Sequence, residues 1–190
     1  MLNTRSLDNL MPYVRYLALR LRELCAAEGI PLGFANTMRD KEYQEECYKN
    51  GKSASKEIGP HAFGLAFDVF INRKGSEYDM TLLRRVGALG KLLGLEWAGD
   101  WKSFKEYVHF EYPTGLSDAE LRAGKRVELP AVPEELPAGW SPMLVTLPDG
   151  SLTTGYTKDG VTYAPLRRVA EASGRTVLWT PDRPGEAVIS

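Results

Sequence analysis

Histidine and cysteine are scarce in this 190-residue chain, which has two of each. Cys25 and Cys47 fall on separate predicted helices, and with no export signal in view both are expected to be reduced thiols. Neither reads as a nucleophile or a metal ligand. An excess of charge is missing too: 24 Lys and Arg stand against 25 Asp and Glu, for a formal net charge of −1. No overall basic field would draw the protein to nucleic acid. No stretch approaches the ~18 apolar residues of a membrane span. The first residues carry Arg5 and Asp8 rather than an apolar core and a small-residue cleavage site, so neither membrane insertion nor a Sec-type signal is expected. What remains is the composition of a soluble globular protein, 43% hydrophobic and 26% charged.

The apolar pattern divides the chain. Leu7, Leu10, Met11, Val14, Leu17, Leu21, Leu24 and Cys25 recur every three or four residues, which predicts one long helix ending at Gly29. Ile30 to Ala35 reads as a short strand. Asp40 to Asn50 reads as a helix, and so does Thr81 to Leu93, stopped by Gly94. Leu65 to Ile71 and Tyr107 to Tyr112 read as strands. The fold class expected is α+β, with a small antiparallel sheet flanked by helices. Pro130, Pro133 and Pro137 crowd a segment at 129–142, read as a semi-rigid linker. The expected organisation is a domain over 1–128, that linker, and a small β-rich module with one helix over 143–190. Under 50 residues, such a module is small for independent stability.

Both histidines sit in metal-ligand spacings. His61 precedes Asp68 by seven residues in Gly59-Pro60-His61-Ala62-Phe63-Gly64-Leu65-Ala66-Phe67-Asp68. A buried carboxylate in an apolar strand is costly without a partner, and a metal would resolve the cost. His109 follows Glu106 by three residues and precedes Glu111 by two. Two imidazoles and a carboxylate form the ligand set of a catalytic zinc, with the fourth position left open. A further carboxylate could take a proton from water there, which points to metal-assisted hydrolysis. On a strand, residues two apart share a face, so pattern alone slightly favours Glu111 as that base. Glu106 needs a turn at Tyr107 to reach the same cavity.

These motifs resemble the zinc peptidases of bacterial cell walls, which comprise VanY-type D-alanyl-D-alanine carboxypeptidases and phage L-alanyl-D-glutamate endopeptidases. His61-x6-Asp68 and Glu106-x2-His109 resemble the family's ligand motifs. Leu95-Glu96-Trp97-Ala98-Gly99-Asp100-Trp101-Lys102-Ser103-Phe104 resembles the stretch before the second histidine in the endopeptidase branch. Thr37-Met38-Arg39-Asp40-Lys41-Glu42-Tyr43-Gln44 resembles its arginine and glutamine segment. The resemblance spans about Arg5 to Tyr112. It implies Zn2+ held by His61, Asp68 and His109, with Glu106 as general base. It also implies that Arg39 binds a peptide carboxylate or the oxyanion. Glu111 then reads as an orienter of a ligand imidazole, Trp97 and Trp101 as cleft walls, and Asp100 as a turn cap. Gly59 stands where the family has serine. Glu106 matches the carboxypeptidase branch, whereas the flanking tryptophans match the endopeptidases.

The implied substrate is the peptidoglycan stem peptide, cut at the L-alanyl-D-glutamate bond, with D-Ala-D-Ala carboxypeptidase or a non-catalytic wall-binding protein as the alternatives. The implied setting is a monomer made in the host cytoplasm and released to the wall by a phage holin. The tail, with Tyr163-Ala164-Pro165-Leu166-Arg167 and Val177-Leu178-Trp179, resembles the copper amine oxidase N-terminal-like module. No histidine or cysteine follows His109 to hold copper.

Overall fold

A computed structural model describes residues 3–133, 141–150, 152–158, 161–164, 166–175, 177–179 and 187–189. Residues 134–140 of the proline-rich segment, and Pro165 of the tail motif, lie outside them. The chain divides into two compact units, Met1–Pro133 and Glu134–Ser190.

In the first unit β1 (Asn3–Thr4) leads into a short 3-10 turn, Leu7–Asn9, and then α1 (Pro12–Ala27). The single helix expected from Leu7 is therefore corrected. Its apolar stripe is real, but Pro12 lacks the N–H that a continuous helix needs and sits instead at the first helical turn. β2 (Leu32–Asn36) and β3 (Met38–Arg39) follow, then α2 (Lys41–Lys49), which Asp40 caps by accepting from Tyr43 N–H at 2.8 Å. A 3-10 turn at Pro60–Phe63 precedes β4 (Ala66–Ile71). α3 (Met80–Leu92) is capped by Asp79 and leads to β5 (Glu96–Trp97), a turn at Ala98–Asp100, β6 (His109–Glu111) and α4 (Asp118–Arg122).

Four strands pair antiparallel in the order β2-β4-β6-β5. Side chains alternate across a sheet, so its two faces divide the work. One face carries Phe34, Phe67 and Phe110, whose rings lie 5.6 and 5.7 Å apart in succession. Buried Val14, Leu17, Leu21 and Leu24 of α1 and Leu83, Val86 and Leu89 of α3 supply the helical side of this core. α3 comes close because Gly87 and Gly90 have no side chain: a Cβ there would stand 2.4 Å from the Trp97 and Phe110 rings respectively. The opposite face carries Asp68 opposite His109.

The second unit contains β7 (Ser141–Thr146), β8 (Leu152–Lys158) and β9 (Val161–Tyr163), an antiparallel sheet in that order. Gly150, at φ +82°, closes the turn between β7 and β8. α5 (Leu166–Ala172) ends before Gly174, and β10 (Val177–Trp179) pairs with β11 (Ala187–Ile189). The protein is thus α+β, with small antiparallel sheets.

Candidate metal centre

Three elements bring three donor atoms together. The turn at Pro60–Phe63 presents His61 and is closed by Gly64 at φ +67°. A Cβ on Gly64 would meet the Asn9 carbonyl at 2.6 Å, so both conformation and space require glycine. β4 presents Asp68, and β6 presents His109 from directly across the ladder. All three residues are buried, at 4–5% exposure. His61 Nε2 lies 3.2 Å from His109 Nδ1 and 3.3 Å from Asp68 Oδ1, and His109 Nδ1 lies 3.0 Å from Asp68 Oδ1.

That triangle suits a metal. A tetrahedral zinc with bonds of about 2.0–2.1 Å separates its ligand atoms by about 3.3 Å. The three sides match this within a few tenths of an ångström. Among the described residues, these form the one group of His, Cys, Asp or Glu able to hold a metal ion.

The atoms facing away from the triangle are braced unequally. His109 Nε2–H donates to Glu111 Oε2 at 3.0 Å. Asp68 Oδ2 accepts from Asn36 Nδ2 at 2.9 Å and from Arg39 Nη2. His61 Nδ1, by contrast, is buried with no hydrogen-bond partner among the described residues.

Charge follows from these contacts. Burial disfavours the His109 cation, but hydrogen bonds to Asp68 and Glu111 outweigh it and push the pKa up to about 9. Burial pushes His61 down to about 4, with Asp68 opposing only in part. Burial also opposes ionisation of Asp68, yet the neighbouring imidazoles hold its carboxyl well below the usual range.

Glu106 approaches from the mouth of the site. The His109 N–H donates to Glu106 C=O at 3.2 Å, closing a turn at Tyr107 and Val108. The strand expected from Tyr107 is accordingly shorter, and begins at His109. This turn sets Glu106 Oε2 3.9 Å from His109 Nδ1, the nitrogen in the donor triangle, whereas Glu111 holds the far nitrogen. Burial raises the Glu106 pKa above its ordinary value, against the pull of the His109 charge. The turn is built by residues 98–106: Trp101 N–H and Glu106 N–H both donate to the Ala98 carbonyl, at 3.3 Å each. Closing that loop holds Phe104 at φ +49°, a left-handed conformation unusual for an aromatic residue.

A cleft of about 290 Å³ opens onto the triangle, lined by Arg39, Gln44, Ser53, Trp101, Phe104, Glu106, His61 and His109 among others. Buried Gln44 donates to Ser53 Oγ and to the Ser55 carbonyl at 2.9 and 2.7 Å, fixing the loop that forms one wall. The Trp101 ring stands 5.5 Å from that of His109. Trp97 is buried instead, with its indole N–H on the Tyr107 carbonyl at 2.9 Å. Asp100 caps no turn; it pairs with Lys91 at 2.6 Å on the surface. Cys25 and Cys47 are free, buried thiols away from the cleft, and burial with the Glu28 charge pushes Cys25 up to about 12.

Asn36 had no assignment from sequence, and buried Thr37 none beyond its place in the arginine and glutamine segment. Thr37 donates from its hydroxyl to Ser6 C=O at 2.7 Å and from its N–H to Thr4 C=O at 2.8 Å, holding the segment that carries Arg39. For Asn36 the available signal was its place just past an apolar run.

Residues 52–112 match the D-alanyl-D-alanine carboxypeptidase family. The peptidoglycan L-alanyl-D-glutamate endopeptidase CwlK of Bacillus subtilis is 34% identical over 123 residues, which cover 55% of this chain and 74% of that protein. The L-alanyl-D-glutamate peptidase of Listeria phage A118 is 31% identical over 117 residues, 57% of this chain and 41% of that one. Among solved structures, the L-Ala D-Glu endopeptidase ChiX of Serratia marcescens aligns with a TM-score of 0.48 at 21% identity, covering 60% of this chain and 90% of that one. No described helix is long and apolar enough to cross a membrane. Through its match to CwlK over most of that protein's length, the chain belongs to the peptidase family of D-alanyl-D-alanine carboxypeptidases and peptidoglycan L-alanyl-D-glutamate endopeptidases.

Proposed function

We propose that this protein is a zinc-dependent peptidoglycan hydrolase that cuts the L-alanyl-D-glutamate bond of the stem peptide. The observation that carries the reading is the buried triangle of His61 Nε2, Asp68 Oδ1 and His109 Nδ1 at zinc-ligand spacing, with Glu106 beside it in an open cleft. The bond is chosen on the relatives CwlK and the Listeria phage enzyme, both named for it.

Zinc, when bound by these three residues, supplies a Lewis acid that acidifies water and polarises a carbonyl. Glu106 takes the proton from the attacking water and returns it to the leaving amine. Its raised pKa suits both halves of that transfer. Arg39 holds Asp68 through Nη2, its Nε–H has no partner among the described residues, and its positive charge favours the oxyanion that develops on the scissile carbonyl. Glu111 keeps the proton on His109 Nε2, which leaves Nδ1 free to ligate. Trp101 and Phe104 wall the cleft and limit water around the reacting bond.

The catalytic part is residues 1–128, joined through the proline-rich segment 129–142 to a module of the copper amine oxidase N-terminal-like kind at 143–190. That module serves wall targeting, the enzyme acts as a monomer, and a holin-type pore gives it access to the wall. Purified peptidoglycan digested with the zinc-loaded protein tests the reading, with released fragments identified by mass spectrometry. New N-terminal D-glutamate is the expected product. Free D-alanine would instead identify a D-Ala-D-Ala carboxypeptidase, and no cleavage at all would leave a wall-binding protein.

A further inference from the structure

We propose that Asn36 is a positioning residue of the metal centre: with Arg39 it holds Asp68 Oδ2, so that Oδ1 alone faces the metal. The inference rests on the zinc reading above. A carboxylate can offer a metal either oxygen or both, and nothing in the side chain itself decides which. Here Oδ2 accepts from the Asn36 amide at 2.9 Å and from the Arg39 guanidinium, while Oδ1 lies in the donor triangle. Arg39 supplies charge, and Asn36 supplies a second, neutral direction.

The backbone is shaped for this contact. Phe34 pairs with Val69 and contacts Phe67, so it belongs to the helix-covered face. In regular alternation Asn36, two residues on, would share that face. The ladder instead slips between Phe34 and Asn36, and Asn36 comes opposite Asp68. A bulge of this kind re-aims a side chain, and such bulges gather beside active sites. Ala35, the extra residue, is what turns the amide to the metal face.

Asn36 also carries a cost that an apolar residue would not. Its Oδ1 is buried without a hydrogen-bond partner among the described residues. A polar side chain left half-satisfied in a buried place needs a reason, and the bond from Nδ2 to Asp68 is the one the structure offers. Among the described residues the three ligands are thereby held differently: Asp68 by Asn36 and Arg39, His109 by Glu111, and His61 by its backbone turn alone.

The test uses Asn36→Leu, close in size and without donors, and Asn36→Ala should the larger side chain prevent folding. Zinc affinity is measured in the full chain by competition with a chromophoric chelator, beside the thermal melt of the metal-free protein. The variant should bind zinc about 10–100-fold more weakly, the usual loss when a partner of a ligand is removed. Its metal-free melt should fall little, because Asp68 Oδ2 keeps Arg39 and the unpartnered acceptor goes with the lost donor. Loading with Co2+ reads geometry directly: wild type should absorb strongly, as four-coordinate cobalt does, and the variant more weakly as Asp68 turns bidentate. Affinity within about threefold of wild type would overturn the inference, using the range of loss just given as the yardstick. So would an affinity loss with an unchanged cobalt spectrum, or one matched by an equal loss of metal-free stability. A wild-type protein that binds no zinc would instead remove the reading beneath it.

Discussion

Raising the pH from 6.5 to 9 should destabilise the metal-free protein. In that form both nitrogens of His109 donate, Nδ1–H to Asp68 and Nε2–H to Glu111, which describes an imidazolium with a pKa of about 9. In the unfolded chain the same side chain titrates near about 6.5. The folded value is the higher one, so this stabilisation is complete below about 6.5 and lost as pH climbs through about 9. The difference of roughly 2.5 units, at about 1.4 kcal/mol each, amounts to about 3 kcal/mol. His61 works the other way, since its folded pKa is about 4. It leaves the alkaline side untouched and destabilises only as pH falls from about 6.5 towards 4. Zinc must displace the Nδ1 proton, so apparent affinity should rise about tenfold per pH unit over the same alkaline range. Urea unfolding of chelator-treated protein, followed by fluorescence, measures the first effect, and Trp101 beside His109 provides a local reporter. Glu111→Gln removes one of the two carboxylates that raise the pKa and should flatten the slope. A level stability profile from pH 6.5 to 9, or an unchanged slope in Glu111→Gln, would refute the argument.

Other outcomes follow from the same geometry. Glu106→Gln should retain zinc and fold but lose about 10²–10⁴-fold in kcat, the usual worth of a positioned acid or base; if Glu111→Gln shows that loss and Glu106→Gln does not, the base is misassigned. His61→Ala and His109→Ala should each lose metal and activity together, and stoichiometric zinc in the double variant by elemental analysis would defeat the ligand assignment. Gly90→Ala should destabilise by about 1–3 kcal/mol, because a methyl 2.4 Å from the Phe110 ring outweighs the ~1 kcal/mol gain in helix propensity; a raised melting temperature would contradict it. A chain ending at Val127 should still hold zinc and cleave soluble stem peptide at near full rate while losing activity on intact walls. Failure of that folded, zinc-loaded truncation on soluble peptide would mean that the second unit helps build the site.

Much of the proposed site could be read in one dimension because its chemistry is local and rare. With only two histidines in the chain, His61 and His109 had few alternatives as imidazole ligands, and Asp68 stood out as a charge inside an apolar strand. Helices α1, α2 and α3 were legible from spacing and caps, since apolar periodicity and Asp40 act within a few residues of themselves. The start of α1 was misread because a continuing stripe says nothing about the missing N–H of Pro12.

Where the two carboxylates stand around His109 depends on tertiary structure. Strand alternation points Glu111 towards the imidazole, and it does reach it, but at the far nitrogen. The turn at Tyr107 and Val108 brings Glu106 to the near one, and that turn depends on a loop closed against the Ala98 carbonyl. The contact of Arg39 and Asn36 with Asp68 was equally hidden. It depends on the pairing of β2 with β4 and on one slipped residue, a relation between strands 32 residues apart in the chain. Composition and spacing determine which side chains can bind a metal, because that is a property of the residues. Which atom of each faces it is a property of register and turns, because these form only when distant segments pack.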